Sequence, residues 1–325
     1  MQFSNFMFGL ILISAISCGK GDQQMGVDSQ YKQKMRDFVI GISQYAKKGK
    51  QNFLVIPQNG IELITTTGTN SGKPHIEYLN AIDANGQEDL FYGYNGDDVA
   101  TPKMQNDYLT TLLNSSKNQG KVILVIDYCS TPSKMTNSYI ENAKVGYKSF
   151  AADRRELDDI PSFPSPIFQE NNMVIDKIFQ IQNFLYLINL SKFSSKSEFI
   201  KAVTATNYDL LIMDLFFDDG TPFFADEIEQ LKNKANGGKR IVVSYMSIGE
   251  AENYRYYWRQ EWNQKRPAWL DAENPNWSGN FKVKYWDVEW QKIIYGNDDS
   301  YLKKIIDAHF DGVYLDIIDA FEYYE

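Results

Sequence analysis

DGVYLDIID, residues 311–319, is a short apolar run that predicts a buried β-strand with Asp316 near its carboxyl end. Only AFEYYE follows, which is too short for the helix that would pack on this strand in a βα protein. At the other end, residues 31–48 predict a helix that no strand precedes. Its apolar stripe consists of Met35, Phe38, Val39, Ile42 and Tyr45. A leading helix and a closing strand predict a closed ring of βα units, opened at an unusual point. In such rings the active site lies at the carboxyl ends of the strands.

Seven more segments combine β-branched or aromatic runs with a polar residue at the far end. They are FLVIPQN (53–59), YLNAID (78–83), KVILVIDY (121–128), VGYKSF (145–150), FLYLIN (184–189), YDLLIMD (208–214) and RIVVSYMS (240–247). Helices are predicted between most of them, for example at 103–117, 193–204, 223–236 and 290–308. Eight strands that alternate with helices favour a (β/α)8 barrel, the TIM barrel, over an open sheet.

The segment 158–172 contains Pro161, Pro164 and Pro166 and has no helical or strand period, so it is predicted to be a linker. It could separate two domains, 28–160 and 173–325. We favour one domain over 31–325, because each half would supply only four strands and leave open sheet edges. The linker would then join the usual termini of a circularly permuted barrel.

The N-terminal residues predict an export signal rather than part of the fold. Residues 1–17 carry a short apolar core, FMFGLILISAIS, and the segment AISC resembles a lipobox with Cys18 as the lipidated residue. Residues 18–30 would be a tether. The expectation is a lipid-anchored protein of the bacterial cell envelope, periplasmic or on the cell surface, and the alternative is an ordinary cleaved signal.

Composition and scarce residue types exclude several classes. The net charge of −9 argues against nucleic acid as a partner, and an acidic cleft would favour a cationic substrate. The chain has two cysteines and two histidines without zinc spacing, and it has no dinucleotide or P-loop motif. We therefore expect no metal site, no cofactor and no Ser-His-Asp or Cys-His mechanism. A monomer is expected.

Polar residues at the strand ends form the candidate site. They are Gln58, Asn59, Asp83, Asp127, Tyr128, Asn189, Asp214, Ser247 and Asp316, with Glu88 and Glu250 just after strands. Carboxyls without histidine or metal spacing indicate glycoside hydrolysis, in which one carboxyl protonates the leaving oxygen and another attacks or activates water. Asp83, Asp127 and Asp214 could instead cap helices. At the last strand, Asp319 is the better placed cap, which leaves Asp316 for function.

All six tryptophans lie within residues 258–290, in the long segment after the strand at 240–247. Aromatic rings can stack on sugar faces, but most rings in such an insertion pack it against the barrel. We expect one or two of the six to contact a ligand.

Five motifs together resemble glycoside hydrolase family 114, the endo-α-1,4-polygalactosaminidase family of TIM barrels. They are FLVIPQNG, QEDLFYGY, VVSYMSIGEAENYRYYW, PNWSGNFKVKYWD and FDGVYLDIIDAFEYYE. In the family's usual order the SIGEAE and DGVYLDIID motifs come first, whereas here PQNG and EDLFY come first. The difference in order agrees with a circular permutation.

The resemblance implies that Asp316 and Glu88 are the catalytic pair, with Asp316 as nucleophile or stabiliser and Glu88 as general acid/base of raised pKa. The roles could be exchanged, and Glu250 is the rival for either. Residues that would line the subsites are Asn59, Asp127, Tyr128, Tyr186, Asp214, Tyr245 and Glu250. The family's substrate is an amino-sugar polysaccharide. Ile317 stands where the family carries an Asn after the Asp, so another amino-sugar polymer is equally consistent.

Two other functions stay open. The first is a non-catalytic, glycan-binding envelope lipoprotein on the same barrel. The distance between the two carboxyls would distinguish it from an enzyme. A barrel enzyme of another reaction type would need a cofactor site.

Overall fold

The computed structural model describes residues 30–325. The predicted signal peptide at 1–17, Cys18 and the tether up to residue 29 lie outside the described residues. Gln30 already belongs to the first helix. Within the described part of the chain, no helix combines the length and apolar character that a membrane span requires.

Helices and strands alternate along most of the chain. The helices are α1 (Gln30–Gly49), α2 (Ile76–Ala81), α3 (Lys103–Asn118), α4 (Pro132–Lys144), α5 (Lys196–Thr204), α6 (Ala225–Leu231), α7 (Val288–Ile294) and α8 (Tyr301–Asp307). The strands are β1 (Leu54–Pro57), β2 (Ala84–Glu88), β3 (Tyr92–Gly93), β4 (Gly96–Ala100), β5 (Val122–Tyr128), β6 (Lys148–Ala152), β7 (Leu185–Tyr186), β8 (Leu210–Asp214), β9 (Ile241–Ser247), β10 (Glu250–Glu252), β11 (Leu270–Glu273), β12 (Asn280–Val283) and β13 (Gly312–Asp316). Short 3-10 helices complete the set at Ile61–Ile64, Ile178–Gln180, Gln260–Asn263 and Ile318–Tyr323.

Two parallel sheets form the centre of this α/β fold. The larger has the order β1-β13-β9-β8-β7, and the smaller has the order β2-β5-β6. The sheets meet where β1 passes β2, because the Asn59 N–H donates to the Gly86 carbonyl at 3.0 Å. On the opposite side β6 and β7 approach each other, and the Phe150 and Phe184 ring centroids lie 5.9 Å apart. Near-continuous apolar runs suit strands that are covered on both faces.

Helix α1 packs on the hydrophobic core through its apolar stripe. The predicted stripe is confirmed, since Met35, Phe38, Val39 and Ile42 are buried and Tyr45 is partly buried. The helix lies against both α2 and α8. It therefore occupies the place of a helix between β13 and β1.

The strand predicted at 78–83 is wrong. Residues Ile76–Ala81 form helix α2, which the His75 side chain caps by accepting from the Tyr78 N–H at 3.3 Å. The strand is ANGQE, β2, one segment later. Asn and Gly are poor strand formers, but β2 is held between β1 and β5, and this tertiary setting overrides the local preference.

Smaller differences concern element length. Helix α4 was not predicted, the helix predicted at 290–308 is divided into α7 and α8, and the strand predicted at 184–189 is reduced to β7. The segment that follows β9 contains a small antiparallel sheet with the order β10-β12-β11, which the sequence did not predict.

The predicted linker at 158–172 contains no helix or strand. It is nevertheless fixed, because the Asn171 amide donates to Asp209 at 2.8 Å and Lys234 donates to the Asn171 carbonyl at 2.9 Å. One hydrophobic cluster contains buried residues from both sides of the linker, such as Phe38 and Tyr314.

We expect Gly86→Ala to lower the free energy of unfolding by about 1–3 kcal/mol, because it overpacks the interior. A Cβ at Gly86 in β2 would lie 2.0 Å from the hydroxyl oxygen of Tyr314, whose buried ring packs against Tyr186. Urea unfolding would measure the change. Gly49→Ala is the matched control, since nothing lies within 4 Å of its added Cβ. Equal urea midpoints of Gly86→Ala and Gly49→Ala would contradict the expected clash.

Candidate active site

A cavity of about 940 Å³ opens at the carboxyl ends of the parallel strands. Its lining includes strand-end residues from both sheets: Gln58, Asn59, Glu88, Tyr128, Tyr186, Asp214, Tyr245 and Asp316. Asn189, Glu250 and Asp319 also line it. The structure therefore brings most of the predicted site residues to one cavity.

Asp316 is the last residue of β13 and is held by two uncharged donors. The Gln58 amide donates to Oδ1 at 2.9 Å, and the Tyr245 hydroxyl donates to Oδ2 at 2.7 Å. Burial and the nearby charge of Glu88 raise the pKa of Asp316 to about 7. A carboxyl of this kind keeps a proton near neutral pH, as a general acid must.

Glu88 is the last residue of β2 and is also held by two neutral side chains. Asn59 donates to Oε2 at 2.9 Å, and the Tyr128 hydroxyl donates to Oε1 at 2.5 Å. Asn59 is fixed in turn, because its Oδ1 accepts from the Glu88 N–H at 3.1 Å. The raised pKa of Asp316 bears on the assignment of roles that the sequence left open.

Backbone strain follows Asp316. Ile317 has φ of 57°, a left-handed conformation that costs a β-branched residue about 1–2 kcal/mol. The Ile248 N–H donates to the Asp316 carbonyl at 3.1 Å, and a Cβ at Gly249 would come within 2.2 Å of the Ile317 carbonyl oxygen. The close approach of Gly249 therefore helps to hold the strained turn that positions Asp316.

Arg155, which the sequence analysis missed, organises the surroundings of Glu88. Its Nη2 donates to the Gly93 carbonyl at 2.7 Å and lies 3.0 Å from Oδ1 of Asp89, the residue after Glu88. Its guanidinium lies 4.0 Å from the ring centroid of Tyr128, the tyrosine that donates to Glu88. No local pattern around Arg155 signals this role, because its partners come from distant loops.

Arg255 forms a second buried network at the cavity wall. Its Nη2 lies 2.7 Å from Asp214 Oδ2, and its Nε lies 2.6 Å from Glu252 Oε2. Tyr254 donates to the same Glu252 carboxylate at 2.6 Å. Asp214 lines the cavity as predicted, but its charge is paired within the protein.

Asp127 does not line the cavity, in contrast to the subsite role that the resemblance implied. It is fully buried and accepts from the Phe91 and Tyr92 N–H groups, from Ser138 and from Asn142. These bonds fix helix α4 and the chain after Glu88, so the position of Asp127 indicates a structural role.

Three further predicted positions differ in detail. Asp83 lies before β2, away from the carboxyl ends, where it pairs with Lys47 at 2.9 Å. Ser247 is buried and donates to the Glu250 carbonyl at 3.1 Å. Asp319, expected as a helix cap, lies in the first turn of the 3-10 helix whose N-cap residue is Ile317, and it lines the cavity.

The aromatic insertion divides as expected between packing and exposure. Trp262, Trp269 and Trp290 are buried. Trp277 is 53% exposed and lines the cavity together with Tyr254 and Tyr256, which are also exposed. Exposed rings at a cavity rim are suited to sugar faces. Among residues 30–325, no three His, Cys, Asp or Glu side chains are grouped so that they could hold a metal ion.

Three carboxyls at and near this site should stabilise the fold less as the pH rises. Burial and neighbouring carboxylates raise the pKa of Asp89 and Asp316 to about 7 and that of Asp319 to about 8. Between about pH 4 and these values the three groups bind more protons in the folded state than in the unfolded state, so their contribution to the free energy of unfolding decreases as pH rises. We expect the melting temperature of Asp319→Asn, relative to the unsubstituted protein, to increase from pH 5 to pH 8. A difference that does not vary with pH would contradict the raised pKa.

Comparisons with known proteins agree with the predicted family. Residues 178–324 match the sequence model of glycoside-hydrolase family GH114. An uncharacterized protein of Methanocaldococcus jannaschii is 40% identical over 176 residues, which are 50% of this chain and 48% of that protein. An uncharacterized protein of Deinococcus radiodurans is 42% identical over 123 residues, 38% of this chain and 37% of the relative. One of Thermotoga maritima is 38% identical over 122 residues, 38% of this chain and 36% of the relative.

The chain thus spans about half the length of the Methanocaldococcus jannaschii protein and just over a third of the other two. The match to the family begins shortly after the predicted linker and contains three of the five motifs: SIGEAE, PNWSGNF and DGVYLDIID. The predicted resemblance to glycoside-hydrolase family GH114 is confirmed over residues 178–324, which match the family's model.

Proposed function

We propose that this protein is a glycoside hydrolase that cleaves an amino-sugar polysaccharide, such as α-1,4-polygalactosamine, with Glu88 and Asp316 as its working carboxyls. The observation that carries the proposal is the arrangement of these two groups. They end two parallel strands, line the same cavity, and each accepts hydrogen bonds from two neutral side chains. Cleavage of a glycosidic bond needs such a pair of carboxyls.

The two carboxyls have different roles in this proposal. Asp316, with its pKa raised to about 7, donates a proton to the oxygen of the leaving sugar. Glu88 is the partner carboxylate that attacks the anomeric carbon or activates water. Asn59 and Tyr128 hold Glu88 in place, and Gln58 and Tyr245 hold Asp316.

The charge of the cavity supports a cationic substrate. Nine acidic residues line it: Glu88, Glu156, Asp214, Asp218, Asp219, Glu250, Glu252, Asp316 and Asp319. Asp316 and Asp319, whose pKa values are raised to about 7 and about 8, add less negative charge near neutral pH than the others. The arginines of the lining, Arg155 and Arg255, are both paired with carboxylates. Attraction between charges is stronger in a cavity than in bulk water, so a polymer with free ammonium groups is favoured over a neutral or anionic glycan.

A closed, circularly permuted (β/α)8 barrel is the fold that we propose for 31–325. Neighbouring strands follow one another in the order β1, β2, β5, β6, β7, β8, β9 and β13, and β13 pairs with β1. Helix α1 fits between α8 and α2, where a helix connecting β13 to β1 would lie. The family match, which starts six residues after the linker ends at 172, agrees with usual termini that were joined there.

We further propose that the barrel acts at the bacterial cell envelope as a monomer, held by a lipid on Cys18. The support is the apolar core FMFGLILISAIS before that cysteine. Mass spectrometry of the protein from membranes would detect the acylated residue, and Cys18→Ala would release the protein from them.

The activity is tested by incubating residues 19–325 with α-1,4-polygalactosamine in fully and partly N-acetylated forms. Mass spectrometry of the products would show oligosaccharides with the unsubstituted protein and none with Glu88→Gln. Binding without products would favour the glycan-binding alternative. If the protein neither binds nor cleaves the polymer, the proposed substrate is wrong.

A further inference from the structure

The small antiparallel sheet after β9 contributes one wall of the cavity. Glu250 lies on β10, Asn280 lies on β12, and Trp277 lies in the turn that joins β11 to β12. All three line the cavity. They belong to the insertion and not to the parallel strands that carry Glu88 and Asp316, so this wall is separate from the catalytic pair.

The Glu250 carboxyl has an unused acceptor. The side chain is 2% exposed, and its Oε1 accepts from the Asn274 amide at 2.8 Å. Its Oε2 is buried and has no partner within hydrogen-bonding distance among the residues that the structure describes. Burial raises the pKa of Glu250, and the amides of Asn274 and Asn280 oppose that shift. A buried carboxylate oxygen without a partner is costly, so a donor brought by a ligand would be bound tightly.

No cation of the described chain occupies this oxygen. Lys282 is the cross-strand neighbour of Glu250, and its charge acts on the Glu250 carboxyl from a distance. Its Nζ lies 4.3 Å from the Tyr323 ring centroid and forms no ion pair with Glu250 within residues 30–325. Arg255 is engaged by Asp214 and Glu252. Within residues 30–325 the Glu250 carboxyl therefore has no ion-pair partner, and a positive group of a ligand would supply one.

We infer that Glu250 binds the ammonium group of one amino-sugar residue, whose ring face rests on Trp277. The inference rests on the proposed function, because it assigns a specificity residue to the same cavity. An ammonium group fits better than a hydroxyl, since only a cation compensates the buried negative charge while it donates a hydrogen bond. Glu250 is then the residue that distinguishes a free amine from an N-acetyl group.

The test compares the binding of two tetrasaccharides, one of α-1,4-galactosamine and one of its N-acetylated form, by calorimetry. Asp316→Asn is present in every protein so that turnover does not consume the ligand. We expect Glu250→Gln to weaken binding of the amine form by about 10- to 100-fold and to change binding of the N-acetylated form by less than about 3-fold. An equal effect on both forms, or no effect, would overturn the inference.

Glu156→Gln is the charge control, because it removes one negative charge from an exposed part of the cavity lining. It should weaken binding of the amine form by less than about 3-fold, since an exposed charge is screened. A loss as large as that of Glu250→Gln would mean that the general field, and not Glu250, selects the amine. Trp277→Ala tests the wall without touching a buried group and should weaken both forms alike, by about 2- to 10-fold.

Failure of the inference and failure of the proposed hydrolysis can be told apart. Selective loss of amine binding in Glu250→Gln, without any cleavage by the unsubstituted protein, would support the subsite and contradict the hydrolase. If the unsubstituted protein cleaves the polymer and Glu250→Gln lowers kcat without raising KM, Glu250 belongs to the chemistry and the inference is wrong.

Discussion

Asp316→Asn is expected to lower kcat on an amino-sugar polymer about 1000-fold, the typical contribution of a general acid. Asparagine has nearly the same shape, and its side-chain oxygen can still accept from the Gln58 amide while its NH2 group donates to the hydroxyl oxygen of Tyr245, so the strand end should keep its geometry. What is lost is the proton that leaves with the sugar oxygen. Initial rates at saturating polymer, with product formation followed by mass spectrometry, would measure the loss.

The pH dependence of kcat tests whether Asp316 is the general acid. If Asp316 is the acid, kcat of the unsubstituted protein should fall as pH rises through about 7, because the group then loses its proton. The residual activity of Asp316→Asn should lack this decline. Asp218→Asn removes a charge from an exposed part of the same cavity and should keep most of the activity. Equal losses in both variants would contradict the proposed acid.

Asp209→Asn is expected to lower the free energy of unfolding by about 3–5 kcal/mol, because it leaves a buried cation without its partner. Both side chains of the Asp209–Lys234 pair are fully buried, and the two charged atoms lie 2.9 Å apart. Asp209 also accepts from the Gln182 N–H at 2.7 Å and from the Asn171 side chain at 2.8 Å. The substitution should therefore loosen the linker together with β8. Urea unfolding, followed by tryptophan fluorescence, would measure the change.

The matched control is an exposed ion pair. Lys103 and Asp107 are 2.7 Å apart at one turn of α3, but both side chains are largely exposed, so Asp107→Asn should have little effect. Replacing both buried partners, as in Asp209→Leu with Lys234→Met, should recover part of the loss because no charge is then left unpaired. If Asp209→Asn lowers the free energy of unfolding no more than Asp107→Asn does, the buried pair does not stabilise the fold as expected.

Much of the fold could be predicted from local patterns. The stripe of α1 has a period that only a half-buried helix explains, and runs such as VILVIDY and IVVSYMS are long and apolar enough to be strands covered on both sides. The strand β2 could not be found in this way. Its residues, ANGQE, have little strand preference, and they are extended because β1 and β5 supply hydrogen bonds on either side.

The candidate site shows the same division. The sequence alone determined that Asp316 ends a buried strand, because a polar residue that closes an apolar run marks the carboxyl edge of a parallel sheet. Glu88 was named as a site residue although the strand that it ends, β2, was not predicted. Only the tertiary structure decided that Tyr128 faces the cavity while Asp127, one residue earlier, faces helix α4. The tertiary structure also placed Arg155 and Arg255 at the cavity, where they pair with Asp89 and Asp214. The physical reason is that side chains alternate between the two faces of a strand, and that ion pairs between distant loops leave no periodic trace in the sequence.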